Sequence, residues 1–466
     1  MNAPAILAGG TGLLAVAAVA LRRRPGWSGV VSTAGLLLLA AFTLAAPLDQ
    51  ALELASLSVK VSGTLTVLGR SFIIGPANRA VIGFLYLSGG FMFGAGWMAR
   101  PGRTFYPAGL VLLGAVGSAL TITPFLYAAI FLEVAVLAAV ILLSPPERPA
   151  LRGSLRLLVF YTLAMMAILV TGWMLPSIGV TRATPALVNQ ALRLLGLGFA
   201  VLMLVPPFHV WLLSATEDAS PYALVFVVVI LQSAGLFFML RFIDNYDWLR
   251  GNPVIMQGLR EVGTAVIVIG MIWAMVERTQ MRSAIYVLLI DMGVTILSVG
   301  VGTPAGYQLA LGLSGTRVVS LGVWGLGMAV LERGRFEVPG AGVWPGAAFA
   351  SPLAMAATMV GFVSLGGLPL TAGFPGRWGI IRALLPVSPG QALLVVAAVL
   401  ACGGVAVRWL RPGIRGAGSR SRLALTNWER VFLLLGIAMC ILLGAFPQLL
   451  YPWVVQAASG LSNLVP

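Results

Sequence analysis

Apolar stretches of about twenty residues recur along the whole chain, and they constrain its fold more than any other feature. Each is near the length that a helix needs to cross the hydrocarbon core of a bilayer. Inside lipid the backbone must satisfy its own hydrogen bonds, which long apolar segments do as helices. Only 9% of the 466 residues are charged, against roughly a quarter in soluble domains. The sequence therefore predicts an all-α integral membrane protein, with residues 1–466 forming one membrane domain in the lipid bilayer.

About fourteen spans are predicted along the chain. They cover residues 4–21, 28–47, 79–99, 105–122, 124–143, 155–175, 191–213, 221–241, 261–276, 283–302, 307–331, 352–386, 389–408 and 431–457. Span twelve is the longest and is interrupted by glycine and proline. Between spans two and three, the stretch Leu57–Ile74 alternates in polarity, which favours a short β-hairpin.

The net charge of +15 comes from arginines that concentrate in the loops after odd-numbered spans. A soluble protein with this charge could bind nucleic acid, but here the charge is better explained as a topology signal, so no nucleic-acid partner is expected. Cytoplasmic loops carry an excess of lysine and arginine. We therefore expect the odd loops to be cytoplasmic and both termini to lie on the non-cytoplasmic side of a cell (inner) membrane.

Few residues in the chain could hold a metal or a redox group. The two cysteines, Cys402 and Cys440, lie in apolar runs, and the single histidine is His209. Two thiols at this spacing match neither a zinc site nor an iron–sulfur motif. No phosphate-binding loop occurs. We expect no metal, no bound cofactor, no catalytic residue and no redox centre on this chain.

Two predicted spans contain helix breakers. Span seven carries Pro206 and Pro207, and span twelve carries Pro369 and Pro375 with flanking glycines. Proline removes a backbone donor and clashes with the preceding turn. Such defects are tolerated in a membrane only inside the protein or beside a wet cavity. Two breaks five spans apart suggest two repeated units, as in ion transporters with sites near the breaks. The alternative is a pair of packed kinks without a pathway.

Ionisable residues inside apolar spans are costly and therefore informative. The candidates are Glu133, His209, Asp291, Arg317 and Arg377. Glu133 either takes up and releases a proton or forms a permanent ion pair with an arginine of another helix. His209 either relays protons or holds the kink of its helix. Asp291 and Arg317 lie on consecutive spans and are predicted to form a structural ion pair.

Three segments together resemble a known family. The first is Pro207-Phe208-His209-Val210-Trp211-Leu212, followed by Ala215, Glu217 and Ser220-Pro221. The second is Ser364–Phe374, with Arg377 after it, and the third is Phe131-Leu132-Glu133. They resemble motifs of the antiporter-like subunits (N, M and L type) of respiratory complex I, a NADH:quinone oxidoreductase, and of Mrp Na⁺/H⁺ antiporters. The span-seven segment is the most specific of the three.

The resemblance implies a fold and a division of the chain. The family fold has two inverted five-helix repeats, spans 4–8 and 9–13, with broken helices seven and twelve. On this chain it implies N-terminal spans over 1–104, a first repeat over 105–241, a second over 261–408 and a last span over 431–457. It also implies other membrane subunits of a respiratory complex as partners, with the redox cofactors held by those subunits.

The resemblance further implies a proton route through the middle of the membrane, and here the sequence departs from the family. Leu202 and Gln232 stand where the family has lysines, and the only lysine of the chain is Lys60. Arg377 lies at the position of the family's span-twelve lysine, but an arginine side chain keeps its proton in proteins. The candidate route is therefore Glu133, His209, Gln232 and Arg377.

Several functions stay open at this point. The first is a proton-translocation-related subunit with weakened or altered pumping. The second is a structural spacer that has lost transport. The third is a stand-alone cation/proton antiporter, and the fourth is an unrelated polytopic protein such as a lipid-handling enzyme. The parent complex, its electron donor and the ion carried are not indicated by the residues.

Overall fold

The computed structural model describes residues 2–49, 51–54, 57–144, 152–180, 185–250, 252–337, 346–414 and 424–465. Over this part of the chain the fold is mostly helical, which confirms the predicted class. Ten of the described helices are long and apolar enough to cross a membrane, and four shorter helices are also apolar. Each of these helices overlaps one predicted span. The number that crosses the bilayer stays a prediction.

The helices follow one another along the chain. The first eight are α1 (Ala3–Ala20), α2 (Pro25–Ala45), α3 (Pro76–Ala99), α4 (Phe105–Thr121), α5 (Ala128–Leu143), α6 (Arg152–Val180), α7 (Pro185–Leu202) and α8 (Val210–Asp218). The next six are α9 (Pro221–Asn245), α10 (Asp247–Arg250), α11 (Pro253–Val276), α12 (Gln280–Gly300), α13 (Pro304–Glu337) and α14 (Ala347–Ala350). The last five are α15 (Pro352–Gly366), α16 (Phe374–Leu384), α17 (Pro389–Ile414), α18 (Asn427–Ala445) and α19 (Tyr451–Ala458).

Proline and short polar side chains define where several helices begin. Pro221 and Pro253 each stand in the first turn of a helix, where the missing N–H costs nothing because that group has no intrahelical acceptor. The hydroxyl of Ser220 accepts a hydrogen bond from the Ala223 N–H at 3.2 Å and caps α9. Thr426 caps α18. Helix α9 starts at the predicted span boundary and α18 starts four residues before it, whereas α11 starts eight residues before the predicted span nine.

The chain forms two compact units. The first consists of Met1–Trp97, Gly102–Ala219 and Ile230–Met239, and the second of Met98–Pro101, Ser220–Val229 and Leu240–Pro466. In the first, α4 packs on α1 and α5, and α6 packs on α5, α7 and α8. In the second, α12 is buried along its whole length and contacts α11, α13, α15 and α17. The predicted four-part division and the inverted repeats stay predictions.

A β-hairpin follows α2 in the first unit. Strands β1 (Ala51–Leu54) and β2 (Leu57–Lys60) pair with each other, as do β3 (Thr64–Val67) and β4 (Arg70–Ile73). The short strand β5 (Ile122–Thr123) adds to β4. Leu68 and Gly69, which join β3 to β4, both have positive φ, as a tight two-residue hairpin turn requires. The predicted hairpin is confirmed over 64–73, whereas residues 57–60 belong to a separate strand pair.

The break in span seven lies between α7 and α8. Helix α7 ends at Leu202, and Leu204 adopts a positive φ of 57°. Pro206 and Pro207 stand in the seven-residue connection, and α8 begins immediately after His209. The chain cannot continue as one helix here because consecutive prolines supply no N–H to the preceding turn.

The break in span twelve lies between α15 and α16. Gly367 ends α15 with φ 74°, and its N–H bonds to the Ser364 carbonyl at 3.1 Å. Pro369 lies in the connection, but Pro375 stands in the first turn of α16. Pro375 therefore starts a helix rather than breaking one. The predicted last span is likewise two helices, α18 and α19, because Pro447 follows the end of α18.

Candidate functional site

Glu133 lies on α5 of the first unit and faces α6. Its Oε1 accepts a hydrogen bond from the Thr162 hydroxyl at 2.6 Å. Its Oε2 is buried and has no partner in the part of the chain that the structure describes. No arginine of the described residues forms a salt bridge with it. Of the two readings of Glu133, the structure therefore gives no support to the permanent ion pair.

Leu202 and Gln232, at the two lysine positions, lie in a buried and uncharged part of the same unit. Leu202 is 1% exposed and packs against the backbone of Gly235, where an added Cβ would lie 3.3 Å from the Leu202 Cβ. Gln232 is fully buried, and its Nε2 donates to the Tyr161 hydroxyl at 3.4 Å.

Tyr161 links Gln232 to the helix break of span seven. Its ring meets the edge of the Trp211 ring, with 6.5 Å between the ring centroids. Gln232 Oε1 and Trp211 Nε1 are buried, and neither has a hydrogen-bond partner among the described residues. An orphan acceptor and an orphan donor beside the same tyrosine are typical of a place that holds an ordered water. His209 is also buried, at the residue that precedes α8.

The second unit contains a buried cluster of three charges. Arg317 Nε lies 2.5 Å from Asp291 Oδ2, and Arg377 Nη2 lies 2.7 Å from Asp291 Oδ1. All three side chains are at most 3% exposed. The structure thus pairs Asp291 with Arg317, as the sequence suggested, and adds Arg377 as a second partner. A carboxylate that accepts from two guanidinium groups is held by charge-assisted bonds from both sides.

The broken helix supplies the remaining bonds of Arg377. Its Nη2 donates to the Leu365 carbonyl at 2.5 Å, and its Nη1 donates to the Gly373 carbonyl at 3.1 Å. The last carbonyls of a helix have no intrahelical partner and carry a partial negative charge. The Leu365 carbonyl becomes available because α15 ends one residue later. The break therefore creates the acceptors that hold the Arg377 guanidinium.

Two glycines make room for Arg377. A Cβ at Gly367 would lie 2.0 Å from the Arg377 Cδ, and one at Gly373 would lie 2.7 Å from its Nη1. No side chain fits at these distances, so only glycine allows the arginine to lie against the break. Gly367 and Gly373, predicted from the sequence to break the helix, thus also leave the space that the Arg377 side chain occupies.

The cluster keeps a net charge of one positive unit. Two guanidinium groups face one carboxylate, and neither arginine can lose its proton. Arg317 Nη2 donates to the Thr295 hydroxyl at 2.6 Å, while Arg317 Nη1 and Arg377 Nε find no acceptor in the described chain. The described residues therefore satisfy the two guanidinium groups of the cluster only in part.

Sequence reasoning missed several partners of these residues. Thr162, Tyr161 and Thr295 are common residue types in apolar helices, and nothing in the segments of Thr162 and Tyr161 marks those two. Thr295 alone had a usable signal, because it stands four residues after Asp291 and so shares its helix face. The contact of Arg377 with Gly367 and Gly373 could not be predicted without knowing the path of the chain between α15 and α16.

Known proteins are similar to this chain in sequence and in fold. Residues 180–402 match the family described as "NADH:quinone oxidoreductase/Mrp antiporter, TM". NADH-quinone oxidoreductase subunit N of Desulfovibrio desulfuricans is 28% identical over 291 residues, which are 58% of this chain and 56% of that protein. NADH-quinone oxidoreductase subunit 13 of Thermus thermophilus is 26% identical over 54% of this chain and 53% of its own. The alignments span about half the length of these relatives.

Solved structures match over nearly the entire chain. A chain of the Mrp complex from Dietzia sp. DQ12-45-1b superposes with a TM-score of 0.80 at 16% identity, over 100% of both chains. A chain of respiratory complex I from Thermus thermophilus with bound NADH gives 0.74 at 21% identity, over 98% of this chain and 99% of that one. At these identities the likeness establishes the fold. Together with the matched segment, it confirms the resemblance drawn from the sequence motifs.

Proposed function

We propose that this chain, a relative of the antiporter-like membrane subunits of complex I and Mrp assemblies, is a proton-translocation-related subunit of such an assembly. Its sequence match over 180–402 and its three motifs support this function. The proposed partners are other membrane subunits, and the proposed location is a cell (inner) membrane with both termini outside the cytoplasm. Any redox cofactor of the assembly would belong to those partners.

The environment of Glu133 carries the proposal. A carboxyl group that is not held as the anion of a salt bridge remains available to accept a proton from a neighbouring group. Glu133 has one hydroxyl partner, and its second oxygen is buried without one. This is the arrangement expected of a proton acceptor rather than of a structural ion pair.

The rest of the route is weaker than a route built on lysines. Beyond Glu133, the polar groups of the first unit on the proposed route are His209, Gln232 and Tyr161. They offer hydrogen bonds but no amine that gains and loses charge, since Leu202 fills one lysine position. In the second unit Arg377 is held by Asp291 and two carbonyls. We infer that proton transfer through this subunit is slow and depends on water around Tyr161.

Two other functions have specific support. Leu202 is a buried apolar side chain at the lysine position, which favours a spacer that keeps the fold without transport. The broken helices would also suit a stand-alone cation/proton antiporter. Purification of the native protein in mild detergent distinguishes a stand-alone antiporter from a subunit of an assembly. Membrane subunits that co-purify with the chain favour the assembly, whereas a single active carrier favours the antiporter.

Proton flux in liposomes tests the role of Glu133. The native assembly is reconstituted with pyranine inside, and a potassium diffusion potential is imposed with valinomycin. We expect proton flux above that of protein-free liposomes, and we expect Glu133→Gln to lower it by the share that passes through this subunit. Glutamine keeps the size of the side chain but cannot accept a proton.

Glu261→Gln serves as the matched control. Glu261 is an exposed carboxylate on α11 that accepts from Gln257, so its loss removes a negative charge without touching the proposed route. We expect that variant to conduct like the wild type. Equal flux in the wild type, Glu133→Gln and protein-free liposomes would instead favour the spacer.

A further inference from the structure

A groove in the first unit lies beneath the hairpin β3–β4, apart from the residues of the proposed route. It has a volume of about 230 Å³, and its lining includes Leu7, Leu65, Phe72, Tyr86, Thr121 and Phe131. These side chains come from α1, α3, α4, α5 and the hairpin, so the hairpin forms one wall of the groove. The lining of the groove is mostly apolar, so it suits an apolar occupant better than water.

One polar group in this lining is left without a partner. The hydroxyls of Ser118 and Thr121 bond to carbonyls of their own helix, Gly114 at 2.9 Å and Gly117 at 3.2 Å. The Tyr86 hydroxyl is buried and has no partner among the described residues. Gly117 makes room for it, since a Cβ there would lie 2.6 Å from the Tyr86 oxygen. Buried hydroxyls of native proteins usually have a hydrogen-bond partner, and an occupant of the groove that reaches the end of the Tyr86 ring would supply an acceptor.

The hairpin adds a positive charge beside the groove. In the β3–β4 register Leu65 pairs with Phe72 and Val67 pairs with Arg70. Directly paired residues point to the same face of a sheet, and so do residues two apart. Arg70 therefore lies on the face that carries Leu65, Val67 and Phe72 into the groove.

Arg70 is held in place but not neutralised. Its guanidinium carbon lies 4.0 Å from the centroid of the Tyr127 ring, and the group donates to the Tyr127 hydroxyl. Among the described residues no carboxylate forms a salt bridge with it. Arginine in this state is a suitable partner for a phosphate group.

We propose that the groove binds one acyl chain of an anionic glycerophospholipid. In this complex the Tyr86 hydroxyl donates to an ester carbonyl oxygen, and the Arg70 guanidinium binds the phosphate. Three features support the assignment. They are the mostly apolar lining, the Tyr86 hydroxyl without a partner among the described residues, and Arg70 on the hairpin face that lines the groove. An isoprenoid quinone would satisfy the first two features but would leave Arg70 without an anion. The site does not depend on the proposed proton route.

Native mass spectrometry of the full-length protein tests the site. The protein is purified in mild detergent, stripped of loosely bound lipid and incubated with equal amounts of phosphatidylglycerol or phosphatidylcholine. We expect the wild type to retain one phosphatidylglycerol in preference to phosphatidylcholine. Arg70→Gln should lose that preference, about tenfold in occupancy, because a charge-assisted bond is removed. Tyr86→Phe should retain less of either lipid.

A filled groove gives a second, independent measurement. Ala8 lines the groove and is exposed, so Ala8→Trp should block it without disturbing the interior. The control is Val16→Trp, an exposed position two turns along the same helix that does not line the groove. We expect Ala8→Trp to lose the retained lipid and Val16→Trp to keep it. Equal retention in these two variants, equal retention of the two lipids by the wild type, or a retained mass that matches an isoprenoid quinone would overturn the proposal.

Discussion

At the scale of single residues, two carboxylates of this chain show how surroundings decide a role. Glu133 has a hydroxyl as its hydrogen-bond partner and no cation beside it. Asp291 lies between two guanidinium groups and is their counter-ion. The first arrangement favours exchange of a proton, as the proposed function requires. The second favours a permanent cluster whose members stabilise one another.

Asp291→Asn should therefore be strongly destabilising. It leaves two buried guanidinium groups without an anion, a change that typically costs about 3–5 kcal/mol in the free energy of unfolding. Unfolding of the detergent-solubilised protein in a denaturant series measures the loss. Asp247→Asn is the control, because Asp247 pairs with Arg250 at an exposed site and such pairs contribute about 0–1 kcal/mol. Similar losses in both variants would contradict a stabilising role for the cluster.

The site residues were visible in the sequence to the extent that each is costly in its own surroundings. A charge in an apolar run stands out by itself, which is how Glu133, Asp291 and Arg377 were found. Their partners were harder to predict, because Arg377 bonds to Asp291 across 86 residues of sequence. That contact depends on where the chain turns after α15, and no local pattern encodes the direction of that turn.

At the scale of elements, the breaks in spans seven and twelve are built differently. The first contains consecutive prolines and a leucine with positive φ, and it is followed by the short helix α8. The second ends α15 on a glycine with positive φ and leaves its carbonyls to a guanidinium. Only the second break places a charged side chain directly on the freed backbone. A mutation there should therefore affect both the backbone and the charge cluster.

Gly367→Ala tests this coupling. An alanine would adopt the left-handed conformation at φ 74° and would place its Cβ 2.0 Å from the Arg377 Cδ, so Arg377 must move. We expect a loss of about 1–3 kcal/mol in the free energy of unfolding from the backbone alone, with more from the displaced ion pair. Thermal or denaturant unfolding in detergent measures it.

Gly196→Ala is the control for that change. Gly196 lies inside α7, and nothing lies within 4 Å of an added Cβ. Alanine is the better helix former by about 1 kcal/mol, so this variant should be as stable as the wild type or more so. If both alanine variants were equally stable, a glycine at position 367 would not be needed to make room for the Arg377 side chain.

The elements themselves followed well from hydropathy, and their ends did not. An apolar run of span length can hardly be other than a helix in lipid, so each predicted span overlaps a helix of the structure. The predicted last span was divided instead, because Pro447 ends one helix and a second begins at Tyr451. Hydropathy averages over such a proline, whereas the backbone responds to it directly.

At the scale of the whole molecule, the distribution of arginine is the main guide to orientation in the membrane. Basic loops after odd-numbered spans favour a cytoplasmic position for those loops. With that orientation we expect the hairpin β3–β4, which follows an even-numbered span, to lie on the opposite side. The orientation depends on charge counts in many loops, so it is better tested directly than argued from any one residue.

Cysteine labelling tests the orientation. Both native cysteines are buried, so an introduced thiol should dominate the reaction with a membrane-impermeant maleimide. Thr66 on the hairpin and Thr279 after span nine are both exposed. In intact spheroplasts we expect Thr66→Cys to react and Thr279→Cys to react only after permeabilisation. The reverse pattern would show that the termini face the cytoplasm.

The cluster around Asp291 has a consequence for how the second unit could take part in coupling. Guanidinium groups stay protonated at every pH that a cell meets, so the surplus positive potential there is constant. The Arg377 guanidinium also bonds the Leu365 carbonyl of α15 and the Gly373 carbonyl just before α16. A displacement of one of these helices against the other would therefore break one of the two bonds and carry the positive charge along with the carbonyl that keeps its bond.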